Sequence, residues 1–99
     1  MKMDIQTVGF NAQAELTDFA KEKTEKLSHY FDQIVGAEIY LKQDNNDKQQ
    51  TKVAEIKLNI PGNDLFAESR SHKFEIAINE TTEKLKGQIR KLKTKYATR

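Results

Sequence analysis

The sequence predicts an α+β fold of order β-α-β-β-β-α, a four-stranded mixed sheet with two helices packed on one face. Four segments alternate apolar and polar residues with the period of two expected of half-buried strands. Two longer segments repeat apolar residues at three- and four-residue intervals, as helices with one buried face do. Both helices on a single face of one sheet bury all these stripes at once. The 99 residues are therefore expected to form one domain, residues 1–99, large enough for a single core.

The first strand and the first helix are read from a change of period. Residues 2–8 alternate, and Gly9 ends the strand. From about Ala12 to Phe31 the apolar side chains follow helical spacing. Asn11 is the candidate N-cap, although no Glu or Gln follows three residues later to complete a capping box. This segment is predicted to be one helix.

Three more strands with alternating inward residues are predicted at 37–42, 54–60 and about 65–70. The segment 44–50 has no apolar residue, which predicts a mobile hairpin loop. Pro61 and Gly62 suit the two central positions of a type II turn, because proline presets the first φ and glycine tolerates a positive second one.

The last helix has the clearest pattern in the chain. Ser71 is its candidate N-cap, and an apolar stripe runs from Phe74 to Tyr96. Acidic residues lie in its first half and basic residues in its second, as the helix dipole favours.

Charge is concentrated at the end of this helix. Residues 84–99 contain no acid and seven bases: Lys84, Lys86, Arg90, Lys91, Lys93, Lys95 and Arg99. The whole chain has 17 basic and 15 acidic residues. Subtracting the seven leaves 10 basic against 15 acidic, so residues 1–83 carry −5 and the tail carries +7. This asymmetry predicts a polyanionic partner, nucleic acid first.

On a helical wheel the bases from Lys84 to Lys95, together with Gln88, separate into two groups. One group, which we call the ridge, lies along one flank of the buried stripe and consists of Lys84, Gln88, Lys91 and Lys95. The ridge spans roughly 16 Å, enough for several consecutive phosphates. The other group, on the opposite flank and outer face, consists of Lys86, Arg90 and Lys93. An ordinary solvated face is the alternative, but such a face usually mixes signs through i,i+4 pairs, and no acid follows Glu83.

The first helix adds Lys23 and Lys26, which lie with Tyr30 on one flank of its apolar stripe. A lysine beside a core often only extends its stem over apolar surface. If the two helices pack side by side, however, Lys23 and Lys26 are expected to face a groove toward the ridge, forming one basic surface.

Other classes of function find little support. There is no cysteine and no apolar run of the roughly 20 residues that a membrane span needs, so a cytoplasmic protein is expected. His29 and His72 lack metal-site spacing, and the glycines do not form a phosphate loop. No carboxylate pair is marked as a general acid and base. We expect no enzyme activity, metal or cofactor. An RNA-binding sheet face is ranked below the helices; its candidates are Tyr40, Lys42, Lys57, Phe66 and Arg70.

Two runs, residues 19–32 (FAKEKTEKLSHYFD) and 77–93 (AINETTEKLKGQIRKLK), together with the element order, resemble the ribosome hibernation-promoting factors. This family is also called ribosome-associated inhibitor or sigma-54 modulation protein. The resemblance covers essentially the whole chain. The two runs are fairly specific in combination, whereas each alone is weak.

The resemblance implies a non-enzymatic factor of stressed or stationary-phase bacteria. Such proteins bind the small ribosomal subunit between head and body, occlude the mRNA and tRNA sites, inhibit translation and preserve inactive ribosomes. In the family, basic residues on both helices contact rRNA. The matching positions here are Lys23, Lys26, Lys84, Gln88, Lys91, Lys93 and Lys95, and Arg90 is added as compensation for Gly87.

The chain also departs from the family pattern. Relatives often have other residues at four positions, which here are Thr17, Glu75, Asn79 and Gly87. The chain stops at Arg99, without the C-terminal domain that long members use for ribosome dimerisation, and so resembles a short-type member. Pairing of ribosomes would then need another factor or would not occur.

Two other functions stay open at this point: a generic double-stranded RNA-binding module, and a regulator whose basic tail contacts an acidic protein. In the favoured reading the partner is the small subunit and its rRNA. No membrane or small-molecule substrate is expected, and the protein is expected to be monomeric off the ribosome.

Overall fold

The predicted order of elements is confirmed in a computed structural model that describes residues 1–49 and 51–97. The predicted base Arg99 lies outside these residues. The side chain of Tyr96, at the end of the predicted apolar stripe, also lies outside the described part. The strands are β1 (Lys2–Val8), β2 (Gly36–Gln43), β3 (Lys52–Asn59) and β4 (Leu65–Ser71), and the helices are α1 (Ala14–Glu25) and α2 (Phe74–Ala97).

The sheet is mixed, with strand order β1-β2-β3-β4. β1 pairs with β2 in parallel, from Lys2 opposite Gly36 to Val8 opposite Lys42. The other two pairings are antiparallel. β1 and β4 are therefore the edge strands, and β4 is the one that leads into α2.

The core lies between one face of the sheet and the two helices. Each of the three later strands contributes every second residue, and the members at the centre of the sheet are Ile39, Leu41, Ile56 and Leu58, all at most 1% exposed. From α2, Ile78, Leu85 and Ile89 close over them. This matches the predicted inward faces. Burying a side chain of this size stabilises the fold by about 1.5–3 kcal/mol, so the core fixes how α2 lies on the sheet.

The first helix is shorter than predicted. Its α-helical part ends at Glu25, and Lys26–His29 continue as a tighter 3₁₀ helix, a common way to close a helix C-terminus. Asn11 is not the N-cap. Gln13 precedes the helix in an extended conformation and makes no side-chain cap.

The start of the second helix also differs from the prediction. Ser71 is the last residue of β4 and does not cap α2. The helix begins at Phe74, and the Ala77 N–H donates to the Lys73 carbonyl at 3.1 Å. An aromatic contact stabilises this end, because Phe10 stacks on Phe74 with 4.5 Å between ring centroids.

Two connections have defined geometry. The turn after β3 is as predicted, since Gly62 has φ of +87° and the Asn63 N–H donates to the Ile60 carbonyl at 3.1 Å. The hairpin loop was expected to be mobile, but its described part is tied down: the Asn45 side-chain amide donates to the Gly9 carbonyl at 2.7 Å. Asp47 also bonds within this loop, to the Gln49 N–H and the Thr51 hydroxyl.

Candidate nucleic-acid interface

The ridge on α2 lies along the edge strand β4. The Lys84 ammonium donates to the Glu68 carbonyl at 2.7 Å, and the Gln88 side-chain amide donates to the Phe66 carbonyl at 2.8 Å. Two residues one helical turn apart thus reach two alternate carbonyls of the same strand. This contact anchors the first half of the ridge to the sheet edge.

The opposite flank of α2 faces the end of the first helical segment. The Lys93 ammonium donates to the Tyr30 carbonyl at 2.6 Å. The Lys86 ammonium lies 5.1 Å from the centroid of the Tyr30 ring. Tyr30 follows the 3₁₀ helix directly, so this flank lines the groove between the two helical segments.

The predicted pairing of flanks was therefore wrong. Lys23 and Lys26 were expected to share a groove with the ridge, whereas the groove beside Tyr30 is lined by Lys86, Arg90 and Lys93. A helical wheel shows which residues share a flank, but not on which side the neighbouring helix packs. That side depends on where β1 and β4 lie in the sheet, and the sequence pattern does not specify it.

The two lysines of the first helical segment differ from each other. Lys23 is half-buried, and its ammonium lies 5.6 Å from the Phe19 ring centroid, as expected of a stem laid over apolar surface. Lys26 is exposed at the first position of the 3₁₀ helix. Neither has a hydrogen bond or ion pair with a described residue of α2. Whether they contact rRNA stays a prediction.

Lys42 and Lys57 of the sheet face are paired with carboxylates, whereas Arg90 and Lys91 of α2 are not. On the sheet, Lys42 lies 2.9 Å from Glu55, and Lys57 lies within 4 Å of Glu38 and Asp64. These neighbouring carboxylates offset the charge of the two lysines. The outward aromatic Phe66 is half-exposed, but no unpaired cation of β3 lies beside it.

On α2, Lys86 has an acidic partner, Glu83 at 3.3 Å. The hydrogen bond that Lys86 donates to the Glu83 carboxylate raises the pKa of Lys86, so this amine stays charged at neutral pH. Arg90 and Lys91 are exposed, and their cationic groups have no partner in the described part of the chain. The second half of α2 therefore presents net positive charge on both flanks.

The sequence matches the profile of a known family. The profile of the Sigma 54 modulation protein / S30EA ribosomal protein family matches residues 3–97. The chain belongs to this family. The resemblance noted from the two helical runs is thereby confirmed at the family level.

Two curated relatives of this S30EA-family chain are each named ribosome hibernation promotion factor. One, from Deinococcus radiodurans, is 32% identical over 82 residues, covering 82% of this chain and 43% of the relative. The other, from Bacillus subtilis, is 34% identical over 97 residues, covering 96% of this chain and 50% of the relative. The chain thus spans about half the length of these relatives.

Two solved structures share the fold of the S30EA-family chain at 19% identity. The Thermus thermophilus Protein Y N-terminal domain matches with a TM-score of 0.80, covering 93% of this chain and 99% of that one. A ribosomal subunit interface protein from Coxiella burnetii matches with a TM-score of 0.81, covering 95% and 99%. These matches confirm the predicted architecture.

One feature of this family member was missed by sequence reasoning, a groove of about 340 Å³ between Tyr30 and α2. The only sequence signal was the position of Tyr30 on the same flank as Lys26, which does not indicate contact with α2. Elsewhere, the described residues contain no group of three potential ligands placed to hold a metal ion. None of the described helices is long and apolar enough to cross a membrane.

Proposed function

We propose that the protein binds the small ribosomal subunit through its rRNA, occludes the channel used by mRNA and tRNA, inhibits translation and preserves inactive ribosomes. The observation that carries this proposal is the exposed positive charge of the second half of α2, where the cationic groups of Arg90 and Lys91 have no partner among the described residues. The family, and the hibernation factors similar to this chain, supply the target. We propose that it acts in the bacterial cytoplasm under stress or in stationary phase.

Binding would need no chemistry from the protein. Lysine and arginine side chains that meet phosphates release condensed counterions, which supplies affinity and fast association without reading sequence. Site choice then depends on shape, because phosphate contacts fix register and orientation. The 24 residues of α2 extend about 36 Å, so a rigid helix carries the charges along several phosphates. Inhibition would follow from occupying the channel.

Sedimentation of the protein with purified small subunits tests the proposal. At low salt the wild type should sediment with the subunit and reduce its binding of mRNA and tRNA. The double variant Lys84→Glu with Lys91→Glu should stay at the top of the gradient. A matched control, Lys2→Glu with Lys48→Glu, changes the net charge equally at two exposed sites away from α2. Free migration of the wild type would refute the proposal.

A generic double-stranded RNA-binding module is the second candidate, because a sheet backed by two helices has that general form. Titrating a plain RNA duplex against intact subunits separates the two. We expect the subunit to bind far more tightly, since its shape adds to the phosphate contacts. Equal affinity for both would favour the generic module.

A further inference from the structure

The groove beside Tyr30 combines an aromatic wall, an apolar floor and a cationic rim. The Tyr30 side chain is 48% exposed, whereas Ile89 at the base of the groove is 1% exposed. Lys86, Arg90 and Lys93 surround the opening. A volume of about 340 Å³ lies at the lower end of the range for small-molecule pockets, about 300–1,000 Å³. The groove can therefore hold one planar group with an anion beside it.

This combination matches a single nucleotide better than a phosphate alone. A phosphate needs cations but no exposed aromatic ring, whereas bases of single-stranded RNA commonly stack on tyrosine and other aromatic side chains. A duplex keeps its bases stacked on one another and has no planar group free to enter. The ligand chemistry is thus an unstacked base with its adjoining phosphates.

The cations at the rim can serve those phosphates. Arg90 has no partner for its guanidinium among the described residues, and a guanidinium can bind phosphate with two parallel hydrogen bonds. Lys93 uses one donor on the Tyr30 carbonyl and has two more. Lys86 now lies over the ring and beside Glu83. Its flexible stem allows the ammonium to move from the ring to a phosphate when a base takes its place.

We propose that the Tyr30 groove binds one unstacked nucleotide of single-stranded RNA, with the base against the Tyr30 ring and the phosphates on Arg90 and Lys93. This inference rests on the proposed function and refines it. The ridge would hold phosphates on the β4 side of α2, and the groove would select unpaired RNA on the other side.

NMR titration of the whole chain tests the groove without ribosomes. The probes are a uridine dodecamer, whose bases are largely unstacked, a GC-rich RNA duplex of the same length, and inorganic phosphate. The dodecamer should shift the Tyr30 ring resonances, and the duplex at equal phosphate concentration should leave them nearly unchanged. Tyr30→Ala should weaken dodecamer binding about five- to 150-fold, the range for losing one stacked base. Tyr30→Phe should restore it, because the ring is kept.

Tyr40→Ala is the matched control. Tyr40 also has a lysine near its ring, Lys42 at 6.0 Å, but it lies on the outward sheet face beside Glu38. Its loss should leave dodecamer affinity within about twofold of wild type. Thermal unfolding shows that each variant is folded before affinities are compared.

The remaining outcomes decide against the inference. It is overturned if Tyr30→Ala binds the dodecamer as wild type does, if the duplex shifts the Tyr30 ring equally, or if phosphate alone reproduces the shift in full. Subunit sedimentation remains a separate readout. If the protein sediments with subunits but shows no Tyr30 response, the proposed function stands and the groove proposal is refuted. If Tyr30 responds to the dodecamer but the protein does not sediment with subunits, only the ribosomal target is refuted.

Discussion

Neutralising either basic flank of α2 should lower the salt dependence of subunit binding by a calculable amount. The edge-flank variant is Lys84→Gln with Lys91→Gln, and the groove-flank variant is Arg90→Gln with Lys93→Gln. Each lost phosphate contact reduces the slope of log K against log salt by about 0.7–0.9. Each double variant should therefore lose about 1.4–1.8 of slope if both its cations meet phosphates.

That slope corresponds to a readily measured difference in affinity. Between 50 and 200 mM salt, log salt changes by about 0.6, so the wild type should lose about tenfold more affinity than either variant. Binding constants for fluorescently labelled protein and small subunits, measured at five salt concentrations, give the slopes. The variants should bind more weakly throughout, and most clearly at low salt.

The substitutions suit this experiment because their effect on the fold is small. All four side chains are exposed, and none has a carboxylate partner among the described residues. Lys84 and Lys93 donate to backbone carbonyls, and loss of one such bond costs about 0.5–1.5 kcal/mol. Thermal unfolding measures that cost separately.

The slopes also discriminate between the flanks. If neither variant changes the slope, the basic end of α2 does not meet phosphates and the proposed binding mode is wrong. If only the edge-flank variant changes it, the ridge is supported and the groove flank is turned away from the rRNA. A change confined to the groove-flank variant would contradict the ridge.

Three further predictions concern the fold. Gly87 lies inside α2 with open space where a side chain would stand, so Gly87→Ala should raise the free energy of unfolding by about 0.5–1 kcal/mol in denaturant titration; an unchanged midpoint would contradict this. Thr81 is fully buried, and its hydroxyl lies within hydrogen-bond distance of the Ala77 carbonyl at 2.8 Å and the Ala54 carbonyl at 3.2 Å. Thr81→Val removes this donor and should cost about 1 kcal/mol in the same assay; a neutral result would show that the hydroxyl is not needed for stability. The hydrogen bond from Thr51 lowers the pKa of Asp47 below its ordinary 3.8. The stabilisation from this bond is present above that value and is lost as pH falls through the lower folded-state pKa. An NMR titration of the Asp47 carboxyl should show the lowered pKa, and Thr51→Val should bring the pKa back toward its ordinary value.

The sheet and its buried faces could be predicted because a strand has only two faces. In β3, alternation alone assigns Ile56 and Leu58 to the core, and both are fully buried. A register error of one residue would have turned every side chain over. The turn at Gly62 could also be predicted from nearby residues alone, since its positive φ favours glycine.

Features that depend on distant contacts could not be predicted. The loop containing Asn45 contains no apolar residue, but its amide bonds to Gly9, 36 positions away. Tyr30 likewise meets Lys93 across 63 positions. Neither contact leaves a periodic signal in the sequence, because each is made by one side chain to one backbone carbonyl. The groove was missed for this reason.

The contacts of Lys84 and Gln88 with β4 give the ridge two roles. An edge strand presents backbone groups that can pair with another chain, and side chains that cover it reduce that risk. Each side chain still keeps a free donor, because an ammonium has three and an amide has two. Holding the side chains in place before RNA arrives also reduces the entropy lost on binding, about 0.5–1.5 kcal/mol for each immobilised side chain. Lys91, with no such anchor, must be ordered by the RNA itself. Lys84 and Gln88 therefore offer a preformed start to the phosphate track, and Lys91 extends it once contact is made.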